Sequence, residues 1–471
     1  MKQFTLCPLL LSLLPLIAHA TDDGIYHQIQ AVHEPSSTLI NTSPMPIESP
    51  IVSSVTPSLE SVGGDVLADE ITQALVRQDW AVLERLLAYY PQQTIFDQKL
   101  YDYAMGAMYR SQGKHKQAVQ LYEKIAQDPK LLYPRFDLAL MYFENKQYKD
   151  AKNLLADIYA HLPRDLQRVA WRYLRAIDST QQIVPSVSFN FEQTDNVNNA
   201  SDLRQMNLGG LIFNRDADSL PQSATGIRYD IGIAKQTNIT GNHSLYASAG
   251  FDGVRYWDNP SFDEFGTRVD VGYRYADVKR HAGLTAYNNQ TWLDDDKYLR
   301  LYGVNASFGQ RLNQHWQASI SLSHGQKRYE NDNTASRHNG QTLDVIPALM
   351  YRPSSAWLYH FGVDYRKESL LDPAESSIRR GIRLGATYSG KQIGIQATIR
   401  HSRREFLAEN FWYDQVRQDT DMQFTTAIWH KKLNYKGIFP KLNYRYQYLD
   451  SNLPLYNRKN SAWFMTVEKV F

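Results

Sequence analysis

The sequence predicts an α+β multidomain chain: an N-terminal α-solenoid followed by a fourteen-stranded antiparallel transmembrane β-barrel. Three observations predict it. A helix-period pattern recurs at a spacing of 33 residues between Asp65 and Ile177. From Ile183 to Phe471 apolar and polar side chains alternate with a period of two. The connections between the alternating segments are short and long in turn.

The totals set the bounds. The 471 residues are 43% hydrophobic and 12% aromatic, with 31 Tyr against 18 Phe. A mean hydropathy of −0.49 is too low for a bundle of membrane helices. A formal net charge of +2 gives no basic excess, so no nucleic-acid partner is expected. The single cysteine, Cys7, lies in the leader, which leaves the mature chain without disulfides or a thiolate metal site. The 13 histidines are scattered with no HExxH, and no GxSxG or similar nucleophile cluster is present, so neither a metal, a cofactor nor an enzyme is expected.

Residues 1–20, MKQFTLCPLLLSLLPLIAHA, read as a signal peptide, with Lys2 before an apolar run that ends in Ala18-His19-Ala20. The run contains Pro8 and Pro15 and is shorter than the ~20 residues a membrane helix needs. No later segment offers ~18 uninterrupted apolar residues, so any crossing must use strands, whose backbone groups satisfy one another. Residues 21–64 are rich in Ser, Thr and Pro and poor in aromatics. They read as a linker unable to bury enough apolar surface to offset its ordering entropy.

Residues 65–180 read as the helical domain. Tyr109, Gly113, Ala118, Leu121, Tyr122 and Ile125 recur 33 positions later as Tyr142, Lys146, Ala151, Leu154, Leu155 and Ile158. A helix pair of this length resembles the tetratricopeptide repeat, in which small residues let paired helices approach closely. Gly106, Tyr109, Ala118 and Tyr122 match its pattern in one unit and Ala139, Tyr142, Ala151 and Pro163 in the next. Asp102 and Arg135 depart from it at the first-helix tryptophan position. In the last helix, Leu166, Val169, Ala170, Tyr173, Leu174 and Ile177 form one apolar stripe suited to closing the array. On the repeat's geometry Tyr103, Arg110, Tyr133, Phe136 and Phe143 are candidates to line a peptide groove; packing between repeats is the alternative for each aromatic.

Residues 183–471 read as the barrel. Ile227, Tyr229, Ile231 and Ile233 share one parity, as do Val269, Val271, Tyr273 and Tyr275, and Ile393, Ile395, Ala397 and Ile399. The segment 441–448, KLNYRYQY, sends Leu442 and three tyrosines to one face and Lys441 and Arg445 to the other. Short turns are expected near Gly241, Lys279, Asn313, Pro353, Gly390 and Lys432, and the longest loops at 195–222, 404–421 and 449–460. With both chain ends on the short-turn side, the helical domain is expected there too. The inward parity carries Arg228, Arg274, Arg366, Arg383, Arg400 and Arg445, interleaved with Asp230, Asp270 and Asp364. These form either a charged lining for a passing chain or ion pairs that fill a polar interior. Asp294-Asp295-Asp296 reads as a solvated loop, with a calcium site as the alternative.

The last strand ends Trp463, Met465, Val467, Lys469, Phe471 on one parity. It resembles the C-terminal signal read by the outer-membrane barrel insertion machinery, with Phe471 as its key residue and Lys469 as a departure.

Signal peptide, linker, short tetratricopeptide array and barrel together resemble the surface lipoprotein assembly modulator family of Gram-negative bacteria. The resemblance implies a non-enzymatic outer-membrane translocon that delivers surface lipoproteins, or related haem- and iron-capture proteins, from periplasm to cell surface. It further implies that the barrel carries export, while the repeats engage the client or periplasmic chaperones. An exopolysaccharide export porin also joins such repeats to a barrel, but its array is usually much longer.

Overall fold

The computed structural model describes residues 66–208, 211–411, 413–433 and 438–470. The signal-peptide and linker readings and Phe471 lie outside the described residues.

Three helix pairs build the first domain: α1 (Val66–Arg77) with α2 (Trp80–Tyr89), α3 (Gln98–Ser111) with α4 (His115–Ile125), and α5 (Leu132–Glu144) with α6 (Tyr148–Ile158). The 17-residue α7 (Arg164–Thr180) closes the array. Asp97 caps α3 by accepting from the Lys99 and Leu100 amides, satisfying donors that a helix start leaves open. The close approach of α3 and α4 requires glycine, because a Cβ on Gly106 would lie 2.3 Å from the Tyr122 ring. Ala118, Ala139 and Ala151, the other matched small residues, are fully buried. The first helices of two successive pairs end alike, on a residue in the left-handed region, Gly113 at φ +70° and Lys146 at φ +66°. In each, the next amide returns to an open carbonyl, Lys114 to Tyr109 and Gln147 to Tyr142, both at 2.8 Å. Leu166, Ala170, Tyr173 and Ile177 of the predicted stripe are buried under α5 and α6.

The barrel is closed and antiparallel, with fourteen strands. They are β1 (Ile183–Thr194), β4 (Ala224–Thr240), β5 (His243–Tyr256), β6 (Glu264–Ala276), β7 (Arg280–Leu293), β8 (Asp296–Arg311), β9 (Trp316–Tyr329), β10 (Gly340–Tyr351), β11 (Trp357–Leu370), β12 (Ser377–Ser389), β13 (Ile393–Asn410), β14 (Gln415–His430), β15 (Ile438–Ser451) and β16 (Arg458–Val470). A small hairpin, β2 (Gln205–Leu208) and β3 (Leu211–Asn214), sits in the loop after β1, and a short helix, α8 (Asp332–His338), follows β9. Each of the fourteen alternating segments corresponds to a strand, and every predicted short turn lies at the end of the barrel that holds the helical domain.

Two loop expectations are corrected. Most of 404–421 is strand: β13 and β14 reach 18 and 16 residues and leave only a turn after Asn410. Polar and charged residues sit on both faces there, so alternation of hydropathy fades while backbone pairing continues. In the 449–460 region, strand pairing runs to Ser451 and resumes at Arg458. Asp294 and Asp295, read as a solvated loop, are exposed and form a two-residue hairpin turn at φ 48° and 65°.

The outward parity is an exposed apolar surface carrying Phe251, Val271, Leu284, Phe361, Val363, Ile382 and Leu442. Near the helical domain it ends in aromatics. The Trp316 and Tyr351 rings stack at 4.4 Å, and Trp357 lies 5.6 Å from Tyr359 and 4.9 Å from Tyr388. An apolar band bordered by such a girdle matches a bilayer and its interface. Within KLNYRYQY, Leu442 is exposed, whereas Asn443 and Arg445 are buried on the inner face.

The helical domain docks on the β4–β5 turn. The Lys149 amide donates to Asn238 Oδ1 at 2.8 Å, the Asn238 amide to Gln181 Oε1 at 3.3 Å, and Asn242 Nδ2 to the Asn145 carbonyl. Asn238 also closes its own hairpin, donating to the Gly241 and His243 carbonyls at 2.9 Å each. Gly241 takes the left-handed conformation, φ +49°, that this turn needs.

Candidate functional site

The lumen is graded along its axis. Near the helical domain the inward parity is small and neutral over much of the wall, with Ser186, Gly232, Ser248, Gly283, Ser307, Gly309 and Ser319. Toward the far end it becomes charged and tightly filled.

On β9 to β13 the far half of the wall holds Lys327, Arg366, Arg379, Arg383, Arg400 and Arg404 against Asp344, Asp364 and Glu368, an excess of cations. Arg366 Nε lies 2.6 Å from Asp344, and Asp364 receives Arg383 at 2.7 Å and Arg400 at 3.2 Å. Glu368 is shared by Arg404 at 2.8 Å and Lys327 at 3.6 Å. Burial this deep is tolerable for charges only when they are paired and hydrogen-bonded.

A second network crosses the closure between the first and last strands. Glu192 of β1 pairs with Arg228 of β4 at 2.7 Å and with Arg445 of β15 at 3.6 Å, reaching across β16. Arg445 is 1% exposed. Nearby, the Thr194 hydroxyl donates to Asn460 Oδ1 at 2.9 Å, and Asp195 Oδ1 accepts the Ser461 amide at 2.8 Å. The loop after β1 then folds inward rather than out. Asn196, Val197, Asn198, Asn199 and Ser201 are buried, and Asn196 Nδ2 donates to the Lys459 carbonyl at 2.9 Å. Val197 packs with Ala224, Val254 and Tyr256. This part of the 195–222 loop therefore lines the far mouth.

All six candidate lumen arginines face inward. Five are ion-paired as described, and Arg274, near the helical domain, lies over the Tyr246 ring at 3.5 Å and donates to Gln236 at 3.2 Å. Their acidic partners Glu192 and Asp344, and Glu368, which pairs with Arg404 and Lys327, were missed by sequence reasoning, although each stands on the inward parity of its strand and could have been found by it.

The candidate groove residues divide. Tyr103, Phe136 and Phe143 are buried, so they do not present rings to a groove. The Tyr103 hydroxyl donates to Asp137 at 2.6 Å, and Phe143 packs edge-on against Tyr173 at 5.0 Å. Consecutive helix pairs stack closely enough to cover these positions. Tyr133 and Arg110 are half-buried; Arg110 Nε donates to Glu144 Oε2 at 3.0 Å, and His115 Nε2 lies 3.2 Å from the same oxygen. Burial alone would raise the Glu144 carboxyl, but His115 and Arg110 outweigh it and bring it down to about 2. Burial holds the Asp137 carboxyl above its usual range, against the opposing pull of Arg110 and Tyr103.

A barrel with an apolar outer band, a polar lumen and a helical array docked at its short-turn rim defines an outer-membrane protein with a periplasmic domain. Residues 185–471 match the family model described as surface lipoprotein assembly modifier, and residues 63–182 match that of its N-terminal TPR repeats. The chain belongs to the surface lipoprotein assembly modifier family. A protein of that name from Pasteurella multocida strain Pm70 is 26% identical over 430 residues, covering 86% of this chain and 83% of the relative. Surface lipoprotein assembly modifier 1 of Haemophilus influenzae is also 26% identical, over 86% of this chain and 85% of its own. A hemophilin secretion modulator of Acinetobacter baumannii is 23% identical, over 86% and 83% respectively.

Proposed function

We propose that this chain delivers client proteins from the periplasm to the cell surface, the clients being surface lipoproteins or secreted haem- and iron-binding proteins. The relatives' names support both client classes. The observation that carries the reading is the family match over helical domain and barrel together, with the array held at the periplasmic mouth of the lumen. In this reading the barrel carries export, with the inward arginines as its lining, and the repeats receive the client or a periplasmic chaperone, with Tyr133 and Arg110 accessible to it. The chain works without catalysis and is assembled by the outer-membrane insertion machinery acting on the Phe471 end. An exopolysaccharide export porin is disfavoured by the three-pair array and the family match.

The test is protease accessibility of a candidate surface lipoprotein in cells with and without this chain. Loss of surface exposure in the deletion strain is expected, and equal exposure in both rejects export of that client. Removing residues 66–180 behind an intact signal sequence should weaken delivery while the barrel still inserts; undiminished delivery rejects a role for the repeats.

A further inference from the structure

The joint between the helical domain and the barrel encloses a cavity of about 120 Å³. Lys146 and Tyr148, from the α5–α6 turn, form one wall, and Lys279, Arg280 and Arg311, from the barrel rim, stand on the other. One carboxylate, Asp277, borders it, and both its oxygens are committed. Oδ1 accepts the amides of Lys279 and Arg280 at 2.7 Å each, and Oδ2 accepts the Tyr275 hydroxyl at 2.9 Å. Among the described residues, no carboxylate lies within ion-pair distance of the Lys146 or Lys279 ammonium or the Arg280 guanidinium.

Lys146 is held there against its own backbone preference. The matching position of the preceding repeat is Gly113, and both residues adopt φ near +70°. Glycine takes that conformation freely, whereas a lysine is strained in it. Burial, and then the Arg311 charge, push the Lys146 ammonium down to about 8. Cations from two domains therefore confront one another across a cavity. The remaining wall identifies the direction of approach. Gln236, Ser244, Arg311 and Gln317 lie on the inward parity of their strands, whereas Arg280, paired with Gln310, stands on the outward parity at the rim, so the cavity is reached from the lumen.

We propose that this cavity is an acidic-peptide site, taking the carboxylates of a protein segment entering the barrel between Lys146 and the rim cations Lys279 and Arg311. The identity of the occupant rests on the export reading above. The chemistry of the site does not. Because the ligand bridges two domains, its binding also tightens their docking, and by linkage anything that loosens the joint weakens the ligand.

The test uses the purified full chain in detergent and a fluorescein-labelled hexa-aspartate peptide, read by anisotropy. Wild type binds it in a salt-sensitive manner and ignores hexa-lysine. Lys146→Gln with Lys279→Gln weakens binding by about tenfold or more, as expected when charge-assisted contacts are removed. Arg403→Gln, an exposed cation at the far end of β13, leaves it unchanged. Folding of each variant is checked by the heat-dependent shift of the barrel on gels. A second readout is proteolysis at the α7–β1 junction, which the peptide should slow in wild type and not in the double variant. Equal peptide binding by wild type and double variant overturns the proposal. So does binding of inorganic phosphate at the same residues without binding of the peptide. Failure of client export with peptide binding intact counts against the export reading alone, and intact export without peptide binding counts against the site alone.

Discussion

Replacing Glu192 with Gln probes how the barrel is closed. Glu192 is 3% exposed, and its carboxylate faces the Arg228 guanidinium at 2.7 Å and that of Arg445 at 3.6 Å. Between β1 and β15 runs β16, with Phe464 opposite Glu192 and Ala462 opposite Arg445. Glutamine keeps the shape and removes the charge, so two buried guanidiniums are left facing one another. Removing one partner of a buried ion pair costs about 3–5 kcal/mol, because the remaining charge is neither hydrated nor compensated. The Arg445 contact is longer than a hydrogen bond and contributes through charge alone, which puts the expected loss near the lower limit, about 3 kcal/mol. For a domain of this size that corresponds to a fall of roughly 5–10 °C in the unfolding midpoint. The assay is the heat-dependent shift from folded to unfolded barrel on gels, at one heating rate for all variants. Adding Arg445→Gln removes one of the two opposed cations, so the double variant should lose less than the sum of the single losses. A midpoint for Glu192→Gln within about one degree of wild type would show that the network is solvated and does not hold the closure.

Gly106→Val should destabilise the helical domain by about 1–3 kcal/mol, since the added carbons meet the Tyr122 ring; faster protease nicking of that domain in the full chain, with the barrel intact, is the measurement. Glu144 titrates at about 2 in the folded domain against 4.5 ordinarily, so its contribution, about 3 kcal/mol, is fully present above pH 4.5 and is lost as the pH falls toward 2. Acid titration of helical circular dichroism in the full chain should therefore show a transition that Glu144→Gln makes shallower; identical curves would refute the pairing with Arg110 and His115. Deleting Phe471 should slow membrane assembly, read as accumulation of unfolded chain in pulse-labelled cells, and normal kinetics would remove its role as an insertion signal.

Much of this architecture was legible in the sequence, and the exceptions have physical causes. The sequence reads 404–421 as a loop, although β14 begins at Gln415. Its outer part, with Arg417, Asp419 and Asp421 buried on the inward parity, carries too little apolar contrast for a hydropathy period to register. The 33-residue repeat located Gly106, Ala118 and Ala151 at helix contacts. It did not show that Tyr103, Phe136 and Phe143 would be covered, because that depends on how closely successive pairs stack. It aligned Gly113 with Lys146, but the meaning of a lysine at that position appears only when the barrel rim is brought against it.

The sequence alone determined what is periodic and local: the helical repeat, the fourteen strands and, where hydropathy alternates along them, which side chains face lipid and which face the lumen. A strand's two faces follow from a period of two, and a helix's buried stripe from a period of 3.6. Only the tertiary structure decided which charges meet. Glu192 reaches Arg445 because β1 pairs with β16 in one particular register, and Asn238 meets Lys149 because the array docks on one particular turn. These contacts join residues far apart in the chain through strand register and domain placement, geometry to which a local periodicity carries no information.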